Sequence, residues 1–108
     1  MTATLLPAAG SLSEDRRLDD ELMAQVAKGS EAALESLVFR HRNRLVRLSA
    51  RLTGDRGHAE DIAQETFLRL VDHAGDYESR GQFVSWLQTI ARRLAFNMIL
   101  ARKRRPEV

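Results

Sequence analysis

The sequence predicts an all-α chain: a compact bundle of four helices joined by short connections, behind a flexible N-terminal tail. Apolar residues recur at helical spacing through three long stretches, and serine, aspartate and glycine stand where helix ends need them. Six glycines and two prolines leave little room for the turns of an all-β design. At 108 residues the chain holds one domain with a modest core, too small for two.

Residues 1–18 read as a flexible tail, with Pro7, Gly10 and serines but no sustained periodicity. Asp19 or Asp20 is placed to cap a short helix running to about Lys28 and closed by Gly29. Ser30 caps the next helix, with Glu31 favourably set in its first turn. On it Leu34, Leu37, Val38, His41, Leu45, Leu48 and Leu52 form an inward stripe that stops before Gly54. His41, inside that stripe, reads as a hydrogen-bonded core or boundary residue. Neither His58 nor His73 has ligand-like spacing with it. Beside the stripe Arg40, Arg44, Arg47 and Arg51 make a basic row, open to two readings: a solvated face paired with acids, or contact with phosphates or an acidic partner.

After a short turn at 55–58 comes the central helix, which runs to about Ala74 and contains AEDIAQETFLRLV at 59–71. On a helical wheel Ala59, Ile62, Ala63, Thr66, Phe67 and Leu70 share one core-facing arc. Asp61, Gln64, Glu65 and Asp72 lie opposite, as on a solvated face, yet Leu68 and Val71 sit among them. Two aliphatic residues on a polar face are compatible with a protein-docking surface or with stray surface apolars, and periodicity leaves both open.

The loop at 75–82, GDYESRGQ, leads into the longest helix, about Phe83 to Arg104, stopped by Pro106. Its inward arc holds Phe83, Trp86, Leu87, Ile90, Ala91, Leu94, Met98 and Ala101; Gln88, Thr89, Arg92, Arg93, Phe96 and Leu100 face outward. Charge is unevenly placed along a chain of net +2. Acids dominate from Glu14 to Glu35, whereas Gly81 to Arg105 has Arg92, Arg93, Arg102, Lys103, Arg104 and Arg105 and no acid. A basic end points to a polyanion at that end. Aromatic faces beside cations suit single-stranded DNA, and Tyr77, Arg80, Phe83, Trp86, Arg92, Arg93 and the run 102–105 provide both. Core packing competes for Phe83 and Trp86, and a solvated helix end or linker competes for the basic run.

Several function classes are excluded or disfavoured. Without cysteine there is no disulfide framing, thiol catalysis or cysteine zinc site, which fits a reducing cytoplasm. No apolar run approaches the roughly 18 residues of a membrane span, and residues 1–10 lack the basic start of a signal peptide. No Gly-rich phosphate loop, HExxH or framed nucleophile is present, so neither an enzyme, a metal nor a cofactor is expected.

The stretch AEDIAQETFLRL, followed by F..WL.TIAR within GQFVSWLQTIARRLAFNMILARKRRP, resembles region 2 of bacterial RNA polymerase sigma factors of the extracytoplasmic-function (ECF) group. Upstream, DDELMAQVAKGSEAALESLVFRHRNRLVRLSARLTGD resembles that group's opening helices, so residues 19–106 are covered in order. The resemblance implies a transcription initiation domain that binds core RNA polymerase and recognises and melts the promoter −10 element. It assigns Asp61, Gln64, Glu65, Leu68 and Val71 to the clamp helices of the polymerase's largest subunit. It assigns the 77–83 loop to a flipped-out base of the non-template strand, and Gln88, Thr89, Arg92 and Arg93 to neighbouring bases and phosphates. It further implies an anti-sigma factor covering the same surfaces, with no direct membrane insertion.

The sequence departs from that family at three points. Arg93 stands where many relatives have Asn, Asn97 where they have Asp, and the 72–76 linker is longer than in some. The family's second domain, which reads the −35 element, is not in this sequence. The expectation is therefore an excised domain or one half of a two-domain regulator. Two rivals remain open: a sigma mimic that sequesters an anti-sigma factor, and a duplex-binding helix-turn-helix regulator.

Overall fold

Ser30 and Asp55 each accept hydrogen bonds from the first amides of the helix that follows, so both helix starts are set by local sequence. A computed structural model describes residues 7–104, with side chains from residue 13 onward. The elements in order are α1 (Pro7–Ala27), α2 (Glu31–Thr53), α3 (Arg56–Asp72), a 3-10 turn (Ala74–Asp76) and α4 (Phe83–Arg104). All described regular structure is helical, as the sequence implies.

Helix α1 begins earlier than expected. The chain is already helical at Pro7, the first described residue, so part of the supposed tail is helical. Residues 13–18 are exposed, and a helix without an apolar stripe leaves no periodic signal. Neither Asp19 nor Asp20 caps anything; both lie well inside α1 and face other elements. The turn before α3 is also shorter than expected, because Asp55 is itself the cap: its Oδ1 accepts from the Gly57 amide at 2.8 Å and from His58 at 3.2 Å. Gly54 ends α2 at φ 74°, a left-handed conformation that a side chain would strain.

Helix α2 packs against α1, α3 and α4, and the core gathers around it. Leu37, Leu45 and Val46 meet Met23 and Val26 of α1, Ile62, Phe67 and Leu70 of α3, and Phe83 and Leu87 of α4. Ala59 and Ala63 on α3, with Ala91 and Ala95 on α4, keep the helices close because small side chains stand where the helices meet. The six residues of the α3 core arc are all buried. On α4 the buried line is Phe83, Leu87, Ala91 and Ala95; Trp86, Ile90, Leu94 and Met98 flank it half-buried. Ala101, expected inside, is exposed where α4 runs past the bundle, and Leu52 is likewise exposed at the end of α2.

His41 is buried, as its place in the stripe implies, and its Nε2 lies 2.9 Å from Asp19 Oδ1. Arg40 Nε donates to the same oxygen at 3.0 Å. Burial raises the Asp19 pKa, but the hydrogen bonds and charges of His41 and Arg40 outweigh it and hold the carboxyl below the usual carboxylate range.

Candidate nucleic-acid and polymerase interfaces

The loop between the 3-10 turn and α4 is pinned from α1. Asp20 accepts a hydrogen bond from the Tyr77 hydroxyl with one oxygen and from the Gly81 amide, at 2.8 Å, with the other. The Gln82 amide in turn donates to the Tyr77 oxygen at 3.2 Å. One carboxylate therefore holds both ends of a short turn whose Gly81 sits at φ 72°. Burial, then the Asp20 hydrogen bond, pushes the Tyr77 pKa upward, so the phenol stays a donor at all ordinary pH values.

Aromatic rings back this loop. Tyr77 meets Trp86 edge-on at 5.3 Å and Phe83 at 6.0 Å, and Phe83 touches His41 at 5.0 Å. Phe83 is 1% exposed, so it is part of the core and supports the other two rings rather than facing a ligand. Tyr77, Arg80, Gln82, Trp86 and Thr89 instead line an open groove of about 310 Å³. Arg80, exposed, is paired with Glu78 at 2.9 Å.

The other residues expected near DNA divide between faces. Gln88 is half-buried and lines a different groove, between α1, α2 and α4, so Gln88 and Thr89 diverge. Arg93 is exposed beside Trp86 in a further groove of about 300 Å³ that also includes His73 and Asn97. Arg92 is exposed, as are Arg102, Lys103 and Arg104 in the last turn of α4. Arg105 lies outside the described residues.

A second candidate surface lies on α3. Leu68 is 56% and Val71 45% exposed, and with Asp61 and Gln64 they line a groove of about 380 Å³. Its far wall is Leu34, Val38 and Arg42 of α2. Leu34 and Val38 are half-buried because they form this wall, not because the core is loose there. Glu65 is outside the groove, half-buried, with Arg69 Nε 3.3 Å from its carboxylate. An apolar floor with a polar rim is the arrangement of a protein interface.

Sequence reasoning missed Phe39. It falls between two residues of the α2 stripe, yet it is 90% exposed. The only available signal was that a large aromatic occupied a position off the core arc.

A family model described as sigma-70 region 2 matches residues 37–105. The RNA polymerase sigma-H factor of Pseudomonas aeruginosa is 33% identical over 88 residues, covering 82% of this chain and 46% of that protein. The ECF sigma factor SigE of Mycolicibacterium smegmatis is 40% identical over 81 residues, 72% of this chain and 31% of its own length. SigW of Bacillus subtilis, another ECF sigma factor, is 34% identical over 83 residues, 77% of this chain and 43% of its length. The chain therefore spans less than half the length of these relatives. Among solved structures, an engineered region 2 of sigmaE in complex with GTAAAA is similar over 100% of both chains, with TM-score 0.75 and 27% identity.

Proposed function

The chain belongs to the sigma-70 region 2 family of ECF sigma factors, and on that premise we propose that it is a transcription initiation domain, not an enzyme. It acts in the cytoplasm, where it binds core RNA polymerase and recognises and opens the −10 element of a promoter. The observation that carries the DNA half of this reading is the Asp20-pinned loop, which holds Tyr77 and Trp86 along one open groove with Arg93 adjacent.

The mechanism is non-covalent. Extruding a base costs a few kcal/mol of lost stacking, and stacking on an aromatic face returns about 1–3 kcal/mol per base. The two are comparable, so a groove already held open by Asp20 tips the balance, while a disordered loop would first have to be ordered. Exposed Arg92, Arg93 and the basic end of α4 add phosphate attraction that does not depend on sequence.

The α3 groove is the polymerase-docking surface in this reading. Leu68 and Val71 supply the apolar centre, and Asp61 and Gln64 the rim, against the clamp helices of the largest subunit. An anti-sigma factor that covers the same groove and loop would block both steps at once.

The test is a pull-down of the polymerase clamp fragment with wild type and with a Gln64→Ala/Leu68→Ala variant whose helicity matches wild type. Wild type is expected to bind and the variant to fail. Retained binding by the variant sinks the docking assignment, and failure of both sinks the polymerase reading.

A further inference from the structure

Between α1, α2 and the start of α4 lies a groove of about 790 Å³, larger than the one beside Trp86. Arg16, Arg40, Arg44 and Arg80 line it, with Gln88. Its two acids are both engaged by Arg40, Asp19 at 3.0 Å and Asp15 at 3.8 Å. Arg16 and Arg44 have no carboxylate within ion-pair distance among the described residues. Phe39 also lines the groove, with its ring almost wholly in water.

An isolated exposed apolar residue is ordinary. A flat ring beside two arginines without acid partners is the combination that binds single strands, the ring for a base and the cations for phosphates. The position of the groove adds the decisive point: Arg80, Gln82 and Ser85 line both it and the Tyr77–Trp86 groove. The tip of the pinned loop is the shared wall, so a strand leaving one groove enters the other across it.

We propose that this groove is a second single-stranded DNA subsite, which holds the strand continuing past the captured base. Phe39 stacks on a base there, and Arg44 and Arg16 meet its phosphates. The inference rests on the base-capture reading of the loop. An acidic protein surface would satisfy the arginines equally, but it would not account for continuity with the loop groove.

The test starts from the hexanucleotide that wild type selects from a random single-stranded pool, read by Trp86 fluorescence. That strand is then lengthened with thymidines at one end or the other. One extension is expected to tighten binding about tenfold, the scale of a single stacked base. Phe39→Ala and Arg44→Ala, both at exposed positions, should each abolish much of that gain and leave hexamer affinity unchanged. Arg44→Ala should also lower the salt slope for the extended strand by about 0.7 per phosphate that it no longer neutralises. No gain at either end, or a gain that survives both substitutions, overturns the proposal. A Phe39→Ala variant that loses the polymerase clamp but keeps the gain assigns the ring to protein docking and also overturns it. If wild type selects no hexanucleotide at all, the base-capture reading fails and this proposal with it, an outcome distinct from the others.

Discussion

The Tyr77 hydroxyl donates to the Asp20 carboxylate, tying α1 to a loop far along the chain. The same carboxylate accepts the Gly81 amide, so one side chain sets the span of the loop. Tyr77→Phe removes the bond to Asp20 and the one that the hydroxyl accepts from the Gln82 amide, and Asp20→Ala removes the Tyr77 and Gly81 bonds, so each is expected to cost about 2 kcal/mol of stability. Urea denaturation followed by Trp86 checks the values. Both variants should bind single-stranded DNA more weakly while still binding the polymerase clamp. A folded Asp20→Ala protein with wild-type DNA affinity would show that the loop needs no pinning.

The neighbouring carboxylate predicts how the fold responds to acid. Asp19 is held below the usual carboxylate range: burial opposes ionisation, but His41 and Arg40 prevail. A carboxyl with a depressed folded-state pKa contributes stability above its unfolded value of about 3.9, and that contribution is lost as pH falls through the folded value. Asp55 shifts the same way, chiefly through the His58 amide hydrogen bond at the start of α3. Urea midpoints should therefore fall below about pH 4, and the fall should be shallower in Asp19→Asn. At neutral pH Asp19→Ala should cost about 3 kcal/mol, because it leaves the buried His41 without its acceptor and Arg40 with only the exposed Asp15 at 3.8 Å. An acid slope in Asp19→Asn equal to that of wild type would remove Asp19 from the account.

These two aspartates also mark the limit of what the sequence discloses. The α3 core arc was legible to the residue because a helix facing one core repeats that fact every turn. Ser30 and Gly54 were legible because capping is local. Asp19 and Asp20 looked like caps under the same local rules, but their partners lie 21 to 61 positions away, where no spacing argument reaches. The α3 surface residues do share a groove, except Glu65, while its other wall includes Leu34 and Val38 of α2, which periodicity assigned to the core. Gln88 and Thr89 are adjacent in sequence and line different grooves, since one helical step turns a side chain by about 100°.

Arg93 provides an electrostatic test of the DNA face. It is exposed and lines the groove that also holds Trp86. Arg93→Ala is expected to weaken binding of a short single strand and to reduce its salt slope by about 0.7 for each phosphate left without its cation. Arg92→Ala, outside that groove, should produce a smaller change with the same short strand. Titrations over a range of salt concentrations measure both. An unchanged slope in Arg93→Ala would place the phosphates elsewhere.

Leu68 and Leu70 stand two positions apart on α3, and their exposure separates folding from docking. Leu70 is 0% exposed, and Leu70→Ala should cost about 3 kcal/mol through reduced apolar burial and the cavity left behind. Leu68 is 56% exposed, so Leu68→Ala should change stability by less than about 0.5 kcal/mol. In binding the order reverses. If Leu68 anchors the polymerase clamp, its truncation should cost about 2 kcal/mol of affinity, the scale of a central interface residue. Thermal denaturation and clamp titration on the same two proteins separate the effects. Equal destabilisation by both substitutions would make Leu68 a core residue, and the α3 groove would lose the apolar centre on which its docking role depends.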